Sequence, residues 1–160
     1  MHIREIETKD NQTIEHIIKS SLESYGLDIP GTAYVDPQLS NLTQFYEADD
    51  DAAYWVAENG DGRVVGGVGI GPFDRENGIC ELQKLYVAPE AQGRGLARQL
   101  MDVALTFANK HYDACYLETS TKLEAANRLY EKLGFEPLPK PIEGSDHNAM
   151  DAWYLKRFNS

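Results

Sequence analysis

Apolar and polar side chains alternate along the 160 residues in blocks that change period, and each change marks a new element. Over residues 2–7, Ile3 and Ile6 among polar neighbours mark a short opening strand. Asp10 then offers its carboxylate as an N-cap to a helix on which Ile14, Ile17, Ile18, Leu22 and Tyr25 recur at helical spacing, with Gly26 placed to end it. Asp36, with Pro37 at the first helical position, starts a second helix that carries Leu39, Leu42 and Tyr46 along one face. Residues 53–58 and 63–70, rich in Tyr, Trp and Val and separated by Asn59-Gly60-Asp61-Gly62, predict a β-hairpin. Gly66, Gly67, Gly69 and Gly71 weaken its second arm, which implies tight sheet packing, a bulge, or the close approach of another backbone or a ligand.

Residues 79–87 predict a further strand, passing through 88–95 into a long amphipathic helix traced by Leu96, Ala97, Leu100, Met101, Ala104, Phe107 and Ala108. A strand over 114–119 returns, so the two strands run parallel through a right-handed crossover. Thr121 and Glu124 have capping-box spacing for a helix bearing Ala126, Leu129, Tyr130 and Leu133 and stopped by Gly134. Residues 135–138 and 151–158 are the last strands, linked by a Pro-rich polar loop that holds Ser145, Asp146 and His147. With no repeat, linker or low-complexity segment, a single domain over 1–160 is expected.

Composition narrows the functions this fold can serve. An apolar content of 42% suits a folded globular chain, and 15 basic against 26 acidic residues leave a net charge of −11, which repels nucleic-acid phosphates and anionic lipid. No nucleic-acid or membrane partner is expected; a cationic substrate such as an amine would be favoured. Cys80 and Cys115 lack the spacing of a redox or metal pair, and His2, His16 and His111 are scattered, so no metal is expected. The acidic run Asp49-Asp50-Asp51 lacks the ligand spacing of a calcium loop. Neither a signal-peptide stretch nor an apolar run of about 20 residues is present, and the expected location is cytoplasmic.

The junction Gln92-Gly93-Arg94-Gly95-Leu96-Ala97-Arg98 opens the long helix, where unpaired amide N–H groups and the positive dipole end favour an anion such as a phosphate. The dinucleotide fingerprint fails at Arg98, and the triphosphate-binding loop fails for want of Gly-Lys followed by Ser or Thr. Glu81 is a charge inside an apolar strand, with Cys80 and Leu82 on one face and Glu81, Gln83 and Leu85 on the other. Pairing with Lys84 or an arginine would explain it structurally; general-base chemistry would explain it functionally. Ser145, Asp146 and His147 are too close in sequence to fold into a hydrolytic triad, and no Gly-x-Ser-x-Gly elbow is present.

Gln-x-x-Gly-x-Ala at 92–97, after the strand 81–87, resembles the acyl-CoA pyrophosphate motif of the GCN5-related N-acetyltransferases (GNAT). Downstream, Ala126-Asn127-Arg128-Leu129-Tyr130-Glu131-Lys132-Leu133-Gly134-Phe135 resembles the family's second signature, and the element order matches along nearly the whole chain. The resemblance implies a mixed α/β fold with a mostly antiparallel, twisted sheet of about seven strands, a parallel pair at the fourth and fifth, and helices on both faces. It implies acetyl-CoA as cosubstrate, its pyrophosphate on the amides around Gln92, Gly93, Arg94, Gly95, Leu96, Ala97 and Arg98, and its pantetheine against the backbone of Leu85, Tyr86 and Val87. Arg94 and Arg98 would meet phosphates or solvent. Glu81 falls where similar enzymes carry a general base, and Tyr130 where they carry the acid that protonates the departing thiolate. Backbone N–H groups near 85–87 would face the oxyanion. Leu123 departs from the asparagine many relatives have there, with Asn127 one turn later as a substitute contact. The acceptor, a small-molecule amine before a protein or peptide lysine, would lie against the segment 25–46, with Tyr25, Tyr34 and Asp36 as contacts. A monomer or homodimer is expected. The rival readings are a non-catalytic acyl-CoA-sensing or protein-interaction module and a flavin or nicotinamide reductase.

Overall fold

The computed structural model describes residues 1–145 and 147–158; Asp146, noted above between Ser145 and His147, lies outside the described residues. Strands β1 (His2–Glu5), β2 (Ala53–Glu58), β3 (Val64–Asp74), β4 (Ile79–Val87), β5 (Ala114–Thr119), β6 (Glu136–Leu138) and β7 (Ala152–Arg157) form one sheet in the order β1-β2-β3-β4-β5-β7-β6. Neighbours are antiparallel except β4 and β5. That exception follows from the crossover helix α3 (Leu96–His111) between them. Helices α1 (Asn11–Ser24), α2 (Leu42–Glu47) and α4 (Glu124–Lys132) complete the mixed α/β architecture that the sequence predicts. No helix among the described residues is long and apolar enough to cross a membrane.

Successive residues of a strand point to opposite faces, so β2 carries helices on both. Tyr54 packs against Tyr46 of α2 with ring centroids 5.3 Å apart, while Trp55 meets Phe107 of α3 edge-on at 5.2 Å. Ile14, Ile18 and Leu22 of α1 and Leu100, Met101 and Ala104 of α3 are buried in the same hydrophobic cluster. Each such Leu or Ile contributes about 1.5–3 kcal/mol by burial, and this packing, more than intrinsic helix preference, fixes the two helices on the sheet.

Three helix-start signals act differently from their sequence reading. Asp10 gives α1 no side-chain cap; its carboxylate accepts from Arg4 at 2.7 and 3.0 Å and from the Glu7 N–H at 2.8 Å, because a two-pronged charged partner outcompetes a helix amide. Pro37 opens only a 3-10 turn, Pro37–Ser40; the chain leaves helical geometry at Asn41 and α2 begins anew at Leu42. Thr121 and Glu124 form no capping box, since the Asp151 carboxylate accepts both the Thr121 N–H at 2.8 Å and its hydroxyl at 3.0 Å, and α4 starts after Leu123.

The hairpin's second arm runs on to Asp74, and two of its glycines, Gly67 and Gly69, answer to aromatic rings. A Cβ on Gly67 would lie 2.6 Å from Tyr54 Cε1, and one on Gly69 would lie 2.7 Å from the Tyr46 hydroxyl. The close approach is therefore made by two tyrosine side chains standing on the sheet.

Candidate active site

β4 and β5 pair only from Ile79↔Ala114 to Glu81↔Tyr116, and then diverge. Lys84 has a left-handed φ of 52°, and the register with β3 skips from Gly69↔Gln83 to Gly67↔Tyr86, leaving Lys84 and Leu85 opposite Val68 alone. This is a β-bulge, which bends its strand and disrupts local pairing. A left-handed non-glycine residue costs roughly 1–2 kcal/mol; the Tyr54 hydroxyl, donating to the Lys84 carbonyl at 2.8 Å, holds it in place. Strict alternation ends here: Leu85 lines the cleft between the strands, whereas Glu81 and Gln83 line a smaller cavity behind it. On the β5 side, the backbone of residues 82–87 has no strand partner among the described residues.

The cleft has a volume of about 420 Å³, with walls from Leu82, Leu85 and Val87 on one strand, Leu117 on the other, and Ala126 and Tyr130 of α4. Its far end is the turn into α3. Gly93 and Gly95 adopt φ of 79° and 75°, and a Cβ on either would meet nothing within 4 Å, so the turn geometry, and not crowding, demands glycine there. No side chain caps α3; its first-turn amides and positive dipole end are left for an anion. Gln92 does not point at that anion site: its Nε2 donates to the Val87 carbonyl at 3.0 Å, tying the turn to the end of β4. Arg94 is exposed, and Arg98, also exposed, has Nε 3.5 Å from Asp102.

Tyr130 is buried and faces the cleft, and its hydroxyl has no hydrogen-bond partner among the described residues. Burial pushes the phenol well above its ordinary range, with Tyr86 and Tyr154 adding to the shift, so it holds its proton. Glu81 sits in the smaller cavity. Burial raises its carboxyl above the ordinary range, partly offset by the Gln83 amide and His147. Gln83 Nε2 donates to Glu81 Oε1 at 2.8 Å while its Oε1 accepts from the Tyr46 hydroxyl at 2.6 Å. Tyr46 thus fixes which end of the amide faces Glu81. The cleft and the cavity share walls at Leu82, Lys84, Tyr86 and Glu118, which sets the Glu81 carboxyl and the Tyr130 phenol on either side of a common partition.

A profile of the acetyltransferase (GNAT) domain matches residues 50–137, a span holding the bulge, the glycine turn and Tyr130. The chain belongs to the GNAT family of N-acetyltransferases. It is 40% identical over 148 residues to the uncharacterized N-acetyltransferase YjgM of Escherichia coli (strain K12), covering 91% of this chain and 87% of that one. The GNAT-family acetyltransferase of Staphylococcus aureus Mu50 superposes with a TM-score of 0.82 over 98% of both chains at 21% identity. Spermidine N-acetyltransferase of Vibrio cholerae, solved with CoA and spermine, does so with a TM-score of 0.72 over 98% of this chain and 94% of that one at 22% identity. The latter two likenesses carry the fold. Some curated relatives are much longer, the chain spanning 50% or 37% of their length.

Within this GNAT chain the remaining sequence candidates separate. Asn127 is not brought to the cleft: its Nδ2 donates to the Ser120 and Leu123 carbonyls at 2.9 and 2.8 Å, and its Oδ1 accepts from Tyr154 at 2.9 Å. Leu123 lines the cleft in its stead. Tyr25 is exposed at the cleft mouth, whereas Tyr34 donates to Glu23 at 2.7 Å on the surface and lines neither space. Asp36 caps nothing; its carboxylate lies 2.9 Å from Lys84 Nζ and 3.0 and 3.1 Å from His147 Nε2. Burial alone would raise Asp36, but His147 and Lys84 together hold it below its usual range, and the same contact raises His147. Lys84, the expected structural partner of Glu81, pairs with Asp36 instead, and Gln83, Glu118 and His147 line the smaller cavity without being candidates by sequence. Glu118 carried the signal that exposed Glu81, a charge inside an apolar strand; His147 carried none, because its partner is 111 residues away.

Proposed function

We propose that this enzyme moves the acetyl group of acetyl-CoA to a primary amine of a small molecule by direct attack, with Glu81 as general base and Tyr130 as general acid. The observation that carries this reading is the pairing of a proton-avid enclosed carboxylate with an unpartnered phenol across shared walls. The fit to acetyl-CoA rests on the same cleft. Free amides at 93–98 suit the pyrophosphate, the unpaired β4 edge suits an extended amide-bearing arm, and the apolar walls suit its chain. Acetyl-CoA supplies an activated thioester.

Glu81 takes one proton from the acceptor ammonium, giving a free amine able to attack the acetyl carbon. The loosened backbone at the Lys84 bulge offers N–H groups to the carbonyl oxygen as negative charge develops there. As the C–S bond breaks, Tyr130 gives its proton to the sulfur. The amide nitrogen then sheds its surplus proton, which restores the phenol, and one proton is released overall through Glu81. No covalent acyl-enzyme forms; Cys80 and Cys115 are both buried, and burial, with Cys80 beside it, pushes the Cys115 thiol well above its ordinary range. The fold relative from Vibrio cholerae is named for a small amine substrate, in keeping with a cavity of about 50 Å³ over Glu81.

The test is thiol release from acetyl-CoA across alkylamines, polyamines, amino acids and lysine peptides. Acceptor-dependent release that Glu81→Gln lowers by about 10²- to 10⁴-fold is expected. Tight CoA binding with no release for any acceptor would mean a sensor instead of an enzyme.

A further inference from the structure

We propose that Glu118 is a second carboxylate gripping the acceptor ammonium beside Glu81, and that the enzyme therefore selects primary alkylamines with no carboxylate on the amine-bearing carbon. This rests on the acetyl-transfer reading and deepens it.

The charges around the smaller cavity do not balance locally. Both cations there are committed to Asp36, Lys84 at 2.9 Å and His147 at 3.0 Å. Glu81 receives only the neutral Gln83 amide. Glu118 Oε2 accepts from the Tyr116 hydroxyl at 2.7 Å, and its Oε1 accepts from the Ser145 hydroxyl. Among the described residues no cation is hydrogen-bonded to either carboxylate, yet both line one cavity that abuts the cleft. Enclosed carboxylates short of a counter-charge are costly. An alkyl ammonium supplies up to three N–H donors and the missing positive charge. A cavity of about 50 Å³ has room for several water-sized groups, each needing about 10–15 Å³, enough for the ammonium and its first carbons. An α-amino acid is a zwitterion and would bring no net positive charge to carboxylates that lack one.

The charged and titratable groups facing Glu81 are Lys84 on its own strand, Glu118, Cys115 and Tyr116 on β5, His147 before β7, and Tyr46 of α2, with Asp36 behind Lys84 and His147 as their shared partner. Of these, Glu118 raises Glu81 by charge repulsion. Neutralising it lowers the Glu81 value, so the acid limb of the kcat/KM profile moves to lower pH.

The experiment compares n-butylamine and 1,4-diaminobutane with glycine and L-alanine as acceptors, in the wild type, Glu118→Gln and Glu118→Asp. The wild type should prefer the alkylamines at least about tenfold. Glu118→Gln should lose about 10- to 100-fold of their kcat/KM, the range for one charge-assisted hydrogen bond, mainly through KM, while CoA affinity holds and the acid limb moves down; Glu118→Asp should recover part of the loss. Preference for the amino acids, or a Glu118→Gln loss with an unmoved acid limb, overturns the proposal while leaving the acetyltransferase reading intact. Turnover of no amine at all overturns both.

Discussion

Two clusters of charge lie on this sheet, and they are built on opposite terms. At the β1 corner, Arg4 donates to Asp10 at 2.7 and 3.0 Å and to Glu58 at 3.0 and 2.9 Å, so one guanidinium serves two carboxylates and the side chains interlock. In the cavity beside the cleft, Asp36 draws both cations and leaves Glu81 and Glu118 with neutral donors only. The first arrangement stabilises the fold. The second, on the proposed reading, holds charge in a state that a substrate completes, and such displaced proton affinities gather where chemistry is done.

The signs of the pH dependence differ accordingly. Burial would raise Asp10, but Arg4 and the Glu7 amide outweigh it and hold its pKa down. Its contribution is present above the ordinary Asp value and is lost as pH falls through the lowered one. Burial raises Glu81, so ionised Glu81 opposes folding at neutral pH and protonation relieves that cost.

The largest break in this contrast is Glu81→Gln. Turnover should fall about 10²- to 10⁴-fold, with the melting temperature unchanged or higher, by steady-state thiol release and calorimetry. Arg4→Ala should do the reverse. It strands the buried Asp10 and costs about 3 kcal/mol of stability, by urea titration, with kcat/KM unaltered where the protein stays folded. Tyr130→Phe sharpens the catalytic side, lowering kcat about 100-fold with CoA affinity and fold retained; unchanged turnover would remove the acid role. The smallest effect is in His147. Its imidazole, raised by Asp36, should titrate by NMR above the ordinary value of about 6.5 and fall back in Asp36→Asn. The pair's contribution, full below the unfolded value, is lost as pH rises through the raised one.

The pattern of periods was enough to place the strands, the parallel pair and the glycine turn, because each depends on local spacing. The β3 glycines leave tight packing, a bulge and the approach of a backbone or ligand open by sequence; at Gly67 and Gly69 it is packing by the Tyr54 and Tyr46 side chains that excludes a Cβ. What stayed hidden was set by partners far along the chain. Thr121 and Asp10 look like caps until Asp151 and Arg4 claim them. The Leu85-Tyr86-Val87 run reads as plain strand, since the left-handed Lys84 leaves no mark on composition. By sequence His147 stands only beside Ser145 in a loop too short for a triad, whereas its partner Asp36 lies in the segment between the first two helices. The site was legible where one strand or one turn carries it and illegible where loops converge.

In the proposed enzyme the gap beside the Lys84 bulge seats acetyl-CoA between a base and an acid. A crystal structure with acetyl-CoA bound tests it most directly. The diphosphate is expected on the amides of residues 93–98, the pantetheine along β4, and the thioester sulfur within hydrogen-bond reach of the Tyr130 hydroxyl. Density for the cosubstrate elsewhere on the surface, or a sulfur far from Tyr130 with Glu81 sealed off from the acetyl carbon, would contradict it.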